Sequence, residues 1–291
     1  MAQFPSSTSA SGIWSLKKQK RGQQGLNWPN MEPPPVGQVA YTTAGTYTWI
    51  APTGVISVCV LCIGPGGQGG GYPAQGSGGG LGWKNNIPVV PGNSYTVVVG
   101  SIPSFAFTPM QSGDSYFINT STVRGGGGQN LSAFGTTPNA GGTYTGDGGG
   151  NGGSSPSSSF SYSGGGGAAG YTGNGGTGGL ATDNASGSTA GTAGNGGGGG
   201  GGSGGRPVTG GGWGGGRGGG VGILGQGSSG AAGASAPTGG DANGNPGNPG
   251  SGGTGATYGG GESGSSAPGT GAVRIIWGSG RSFPSTNTGN L

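Results

Sequence analysis

Between residues 125 and 270 glycine recurs in runs, at 125–128, 148–150, 164–167, 196–202, 214–216 and 218–220. No other feature limits the fold so strongly. Across the chain 86 of 291 residues are glycine, several times the roughly 7% of average usage. An interior glycine costs a helix about 1 kcal/mol relative to alanine, which excludes a helical protein. Collagen needs glycine at every third position over a long stretch. Residues 173–179 have that spacing locally, but the phase is soon lost.

A flexible Gly/Ser linker is the ordinary alternative. Three properties oppose it here. The tract is nearly uncharged, its runs come in repeated blocks, and it would be a very long loop between strands of one sheet. Polyglycine can instead adopt a left-handed threefold helix of the polyproline II type, rising about 3.1 Å per residue. Such a helix makes no internal hydrogen bonds and turns every N–H and C=O sideways. With no side chains between them, neighbouring passes can pair these groups, as buried backbone requires. The large ordering entropy of glycine demands that many passes cooperate. The expected fold is therefore mainly β, with no substantial α-helix and with a brick of packed polyglycine II-type helices.

The β part reads from composition. Residues 38–43, 45–50 and 55–63 are rich in β-branched and aromatic side chains. The third of these is almost continuously apolar, so it should be a central strand covered on both faces. Further strands are expected at 83–90, 94–99 and 115–118, with turns at 52–54 and a hairpin turn at 91–93. The apolar segment 272–277 follows the glycine tract and must return to the same sheet to bury Val273, Ile275 and Ile276. Four parts result: an arm and Pro-rich linker (1–35), a β-sandwich-like scaffold (36–124), the glycine region (125–270), and a closing strand with its tail (271–291).

Catalysis finds little material. The chain has no histidine and only six carboxylates, with Asp114, Asp147, Asp183 and Asp241 scattered. No Ser/His/Asp or Cys/His set can form, so the protein reads as a non-enzyme without cofactor or metal. Cys59 and Cys62 have Cys-x-x-Cys spacing, but their neighbours are aliphatic and no second pair completes a zinc site. Residues three apart on a strand face opposite sides, so both cysteines should be buried as small apolar residues. The net charge of +4 arises from Lys17, Lys18, Lys20 and Arg21, without which the charges balance. Arg124-Gly-Gly and Arg217-Gly-Gly are two isolated copies of an RNA-binding pattern with no basic face around them. Nucleic acid is not an expected partner, and no apolar run approaches a membrane span. The N-terminal residues lack the basic and apolar regions of a secretory signal, so a cytosolic product is expected.

In the arm, Trp14, Leu16, Leu26 and Trp28 are apolar anchors without neighbours in sequence, and Lys17 and Lys18 begin the basic run. Pro29 and Pro33–Pro35 impose an extended tether. A frayed terminus is the plain reading; a docking peptide is the functional one.

The order of elements resembles a known family. Thr/aromatic strands (45–54) lead into an apolar strand ending in Ile63-Gly-Pro-Gly-Gly67. Gly78-Gly-Gly-Leu-Gly-Trp83, residues 91–100, Gly113-Asp-Ser-Tyr-Phe117, Arg124-Gly-Gly-Gly-Gly128 and the closing 269–277 follow. Over residues 38–278 this resembles the glycine-rich domain of bacteriophage tail-fibre and virion proteins. It is more distantly similar to the glycine-rich ectodomain of some receptor tyrosine kinases. The resemblance implies a small β-framework carrying a polyglycine brick in a virion protein. Its arm would dock on other virion proteins through Trp14, Leu16, Lys17, Lys18, Leu26 and Trp28. Loops at 129–144, 154–162, 180–192, 206–209 and 235–248 would contact a host glycan or outer-membrane protein. The candidate contact residues are Phe134, Tyr144, Phe160 and Tyr162, whose rings with nearby amides and hydroxyls suit such surfaces; packing between glycine helices is the other use of these rings. A homotrimer suits a fibre component, although no heptads are present. A capsid decoration, head-fibre or tail-collar protein without a receptor is the alternative.

Overall fold

The structure is a computed structural model. It describes residues 35–69, 75–103, 110–130, 138–157, 163–180, 188–205, 215–234, 250, 258–262, 267–285 and 288–291. Ten strands form two antiparallel sheets, and no α-helix occurs among the described residues. None of those residues builds a helix long and apolar enough to cross a membrane.

The first sheet contains β1 (Gly37–Tyr41), β10 (Ala272–Trp277), β3 (Ser57–Ile63), β4 (Leu81–Pro88) and β9 (Gly148–Gly150), in that order. The second contains β2 (Gly45–Ile50), β5 (Ser94–Val99), β6 (Ser115–Phe117), β7 (Val123–Gly125) and β8 (Tyr144–Thr145). As expected, β3 is central and β10 returns to the same sheet, pairing Ile275 with Val60 and with Val39. The turn at 91–93 forms, with Gly92 at φ 82°. It does not close a hairpin, because β4 and β5 lie in different sheets. The turn at 52–54 likewise carries the chain from one sheet to the other.

Alternation along the strands creates two apolar layers. Val58, Val60, Cys62, Ile87, Val273 and Ile275 face Trp49, Val97, Val99, Phe117 and Val123 across the two sheets. The opposite face of the first sheet presents Cys59, Leu61, Ile63, Leu81 and Ile276 to Ala168, Ala169, Tyr171 and Val221 of the glycine region. That second layer fixes the glycine region on the sandwich. Tyr171 anchors the joint: its hydroxyl donates to Gly222 O (2.9 Å), and its carbonyl accepts from Trp83 Nε1 (2.7 Å). The two cysteines divide as their spacing predicts, Cys62 in the first layer and Cys59 in the second. Both are free thiols, and burial pushes each up from its ordinary value. Neither should react with a maleimide in the native protein; labelling before denaturation would contradict this placement.

The glycine runs are tied together by backbone bonds with a three-residue period. Gly164, Gly165 and Gly166 donate to Gly179, Gly216 and Gly76, which lie in three different runs. Gly167, Ala168 and Ala169 then donate to the same three runs, at Gly176, Gly219 and Gly79, with all six bonds between 2.8 and 3.1 Å. The period recurs in 76–80, where Gly76 and Gly79 reach one run, Ser77 and Gly80 a second, and Gly78 a third. Burial follows the same count. In 173–180, Asn174, Thr177 and Leu180 are exposed while Gly175, Gly176, Gly178 and Gly179 are buried. Interior positions admit nothing larger than hydrogen: a Cβ on Gly166 would overlap the carbonyl oxygen of Gly153, and one on Gly201 that of Thr177.

Candidate functional site

Strands β3, β4, β7 and β10 each join a glycine run at the same end of the sandwich, through Gly64, Gly80, Gly126 and Gly271. From there the runs pass outward and return. Residues 125–130 and 138–143 are antiparallel (Gly126 N–H to Thr143 O, Gln129 N–H to Ala140 O). So are 163–170 with 173–180, and 188–195 with 197–205. The outgoing and returning ends Asn130 and Pro138, Leu180 and Ser188, and Gly205 and Gly215 therefore gather at the end remote from the sheets. We refer to this as the outer end.

Polar side chains replace glycine there and complete the backbone pairing. Ser77 Oγ donates to Ala140 O (2.6 Å) and accepts from Gln129 N–H (2.7 Å). Asn139 Nδ2 donates to Gln75 O (2.9 Å), and Asn130 Oδ1 accepts from Gln68 N–H (2.8 Å). Leu180 and Thr189 close the ends of their runs: Thr189 N–H donates to Leu180 O, and Thr189 Oγ1 accepts from Leu180 N–H (2.6 Å). Among the described residues, Met110 and Leu180 are the large apolar side chains exposed at this end.

Glu262 is the one described carboxylate buried among the runs, with 3% of its surface exposed. Its backbone links two runs, donating to Gly67 O and accepting from Gly76 N–H, while Oε2 accepts from Gly69 N–H (3.1 Å). Burial pushes its carboxyl up to about 7, against the opposing pull of the Gly69 N–H and the Arg217 charge. The folded state therefore holds a proton that the unfolded chain has released between about pH 4.5 and 7. Stability from this group is fully present below about pH 4.5 and is lost as pH rises to about 7. Glu262→Gln should raise Tm by several degrees at about pH 8 and leave it unchanged at about pH 4. Parallel Tm profiles for the two proteins across this range would show that the carboxyl does not titrate this way.

Of the receptor-contact candidates, Tyr144 lies within the described residues. It stands on β8, opposite Gly125 and over Gly149, at the level of the sheets rather than at the outer end. Phe134, Phe160 and Tyr162 lie outside the described residues, as do Trp14, Leu16, Lys17, Lys18, Leu26 and Trp28.

A second polar cluster escaped the reading of the sequence. Arg274 on β10 and Arg281 are both buried. They share Gln38 Oε1, at 2.6 and 2.9 Å. Arg274 also reaches Ile223 O (2.9 Å), and Arg281 reaches Gly37 O (3.1 Å) and Gly289 O (2.7 Å). Burial, and then the neighbouring Arg281 charge, holds the Arg274 guanidinium below its ordinary value. No described carboxylate joins the cluster; carbonyl and amide oxygens alone satisfy it, and the result clamps the C-terminal residues to β1. Alternation along β10 puts Arg274 on the face of Ile276, toward the glycine region.

No protein-family model matches the chain, and a search of curated proteins finds no match.

Proposed function

We propose that this chain is a bacteriophage virion structural protein, a tail-fibre or adhesin-type component. Its arm attaches to other virion proteins, and its glycine runs are polyglycine II-type helices packed as a rigid brick that displays host-contacting segments. The observation carrying this reading is the two-ended body. Pro35, the first described residue, lies at the strand end of the sandwich, and the described ends of the antiparallel runs gather at the opposite, outer end. The three-residue period of lateral donation supports the helix type, since a threefold helix directs successive N–H groups to three neighbours in turn. A body with such an end is suited to presentation. Contact then falls to the segments joining the runs at the outer end, and Tyr144 on β8 is set apart from them.

Purified protein tested on whole host cells examines this directly. The expected result is saturable cell binding and inhibition of phage adsorption. A protein that is present on particles but neither binds cells nor blocks adsorption would be a decoration or collar component instead. Immunogold labelling of intact particles distinguishes head from tail.

A further inference from the structure

The strand end of the sandwich carries an apolar surface that the described residues leave uncovered. Ile56 is 71% exposed, Ile50 59%, Val90 56% and Val36 54%. Backbone bonds hold these positions together. Val89 N–H donates to Ile56 O, and Gly92 N–H donates to Ala51 O while Ala51 N–H donates to Asn93 O. Val36 sits against Gly278, which follows β10 at the same end. The segments 35–37, 50–57 and 88–94 contain no charged residue.

The N-terminal 34 residues join the body inside this surface. Pro35 lies against Gly54, in the turn between Ile50 and Ile56. The arm has apolar side chains to spare in Leu26 and Trp28, nine and seven residues before Pro35. At about 3.1 Å per residue an extended tether gives them a reach of roughly 20–28 Å, enough to cross the end of a small sandwich. Tethering makes their local concentration millimolar or more, so even weak apolar burial suffices to hold them.

We propose that in the free protein residues 1–34 fold back onto this end of their own chain, with Leu26 and Trp28 covering Ile50, Ile56 and Val90. The basic run 17–21 stays in water, since the surface offers it no carboxylate. This concerns the isolated protein and does not depend on the virion reading.

Methyl NMR of the full chain tests it. The wild type should show ring-current-shifted Ile50, Ile56 and Val90 methyls, independent of protein concentration. A Leu26→Ala/Trp28→Ala full-length variant should lose those shifts. Identical methyl spectra in the two proteins would overturn the proposal. Shifts that grow with concentration would also overturn it, and would assign the surface to a second copy. In a second assay, Ile56→Asp should speed chymotryptic cleavage after Leu26 at least about 5-fold with Tm unchanged. An unaltered cleavage rate would count against the arm lying there.

Discussion

Gly166→Ala is expected to abolish soluble folded protein, or to lower stability by more than about 4 kcal/mol, a loss reserved for a few severe mechanisms. Overpacking in an ordinary core costs about 1–3 kcal/mol because side chains shift to make room. Here the added methyl meets the carbonyl of Gly153, which is itself engaged by Gly78 N–H. The obstacle is backbone held by its own lateral bonds, so relief requires separating two runs. Gly201→Ala, against Thr177 O, should behave alike. Gly289→Ala is the control, because nothing lies within 4 Å of its added Cβ. Urea unfolding of the three variants provides the comparison. Equal midpoints for Gly166→Ala and Gly289→Ala would mean that the runs are not closely packed.

Arg274→Met is expected to lower stability by about 2–4 kcal/mol. Hydrogen bonds from a charged donor contribute about 1.5–3 kcal/mol each, and this substitution deletes the donors to Ile223 O and Gln38 Oε1 while keeping the aliphatic stem. Relief of repulsion from Arg281 offsets part of the loss. Arg274→Lys should fail to rescue, since a single ammonium cannot span acceptors arranged for a planar fork. The same variant should show faster amide exchange in 288–291. A wild-type urea midpoint in Arg274→Met would demote the clamp to an incidental contact.

Strands with β-branched and aromatic residues were legible in the sequence, and β2, β5 and β10 fall on the expected residues. Strands β7, β8 and β9 were not. Gly148–Gly150 has no side chain to signal a strand; it pairs with Leu81–Trp83 because bare backbone can lie against the Trp83 ring. Sheet membership was hidden for a different reason. Turns at 52–54 and 91–93 have the same local chemistry whether they close a hairpin or cross between sheets. The role of Arg274 was not legible because its acceptors, Ile223 O, Gln38 Oε1 and Gly289 O, come from segments distant in sequence. The outer end was legible only as interruptions between glycine runs, since its place in space follows from how the runs pair.

The three-residue period of lateral bonding also acts as a reading frame. Removing one residue from the middle of 164–169 would turn every later N–H of that run toward the wrong neighbour and send Ala168 and Ala169 away from Ile63 and Leu81. Removing three would keep every direction and only shorten the run by one repeat. A length change inside this run therefore keeps the pairing directions only in whole triplets. The interior of such a body can grow or shrink only in units of three.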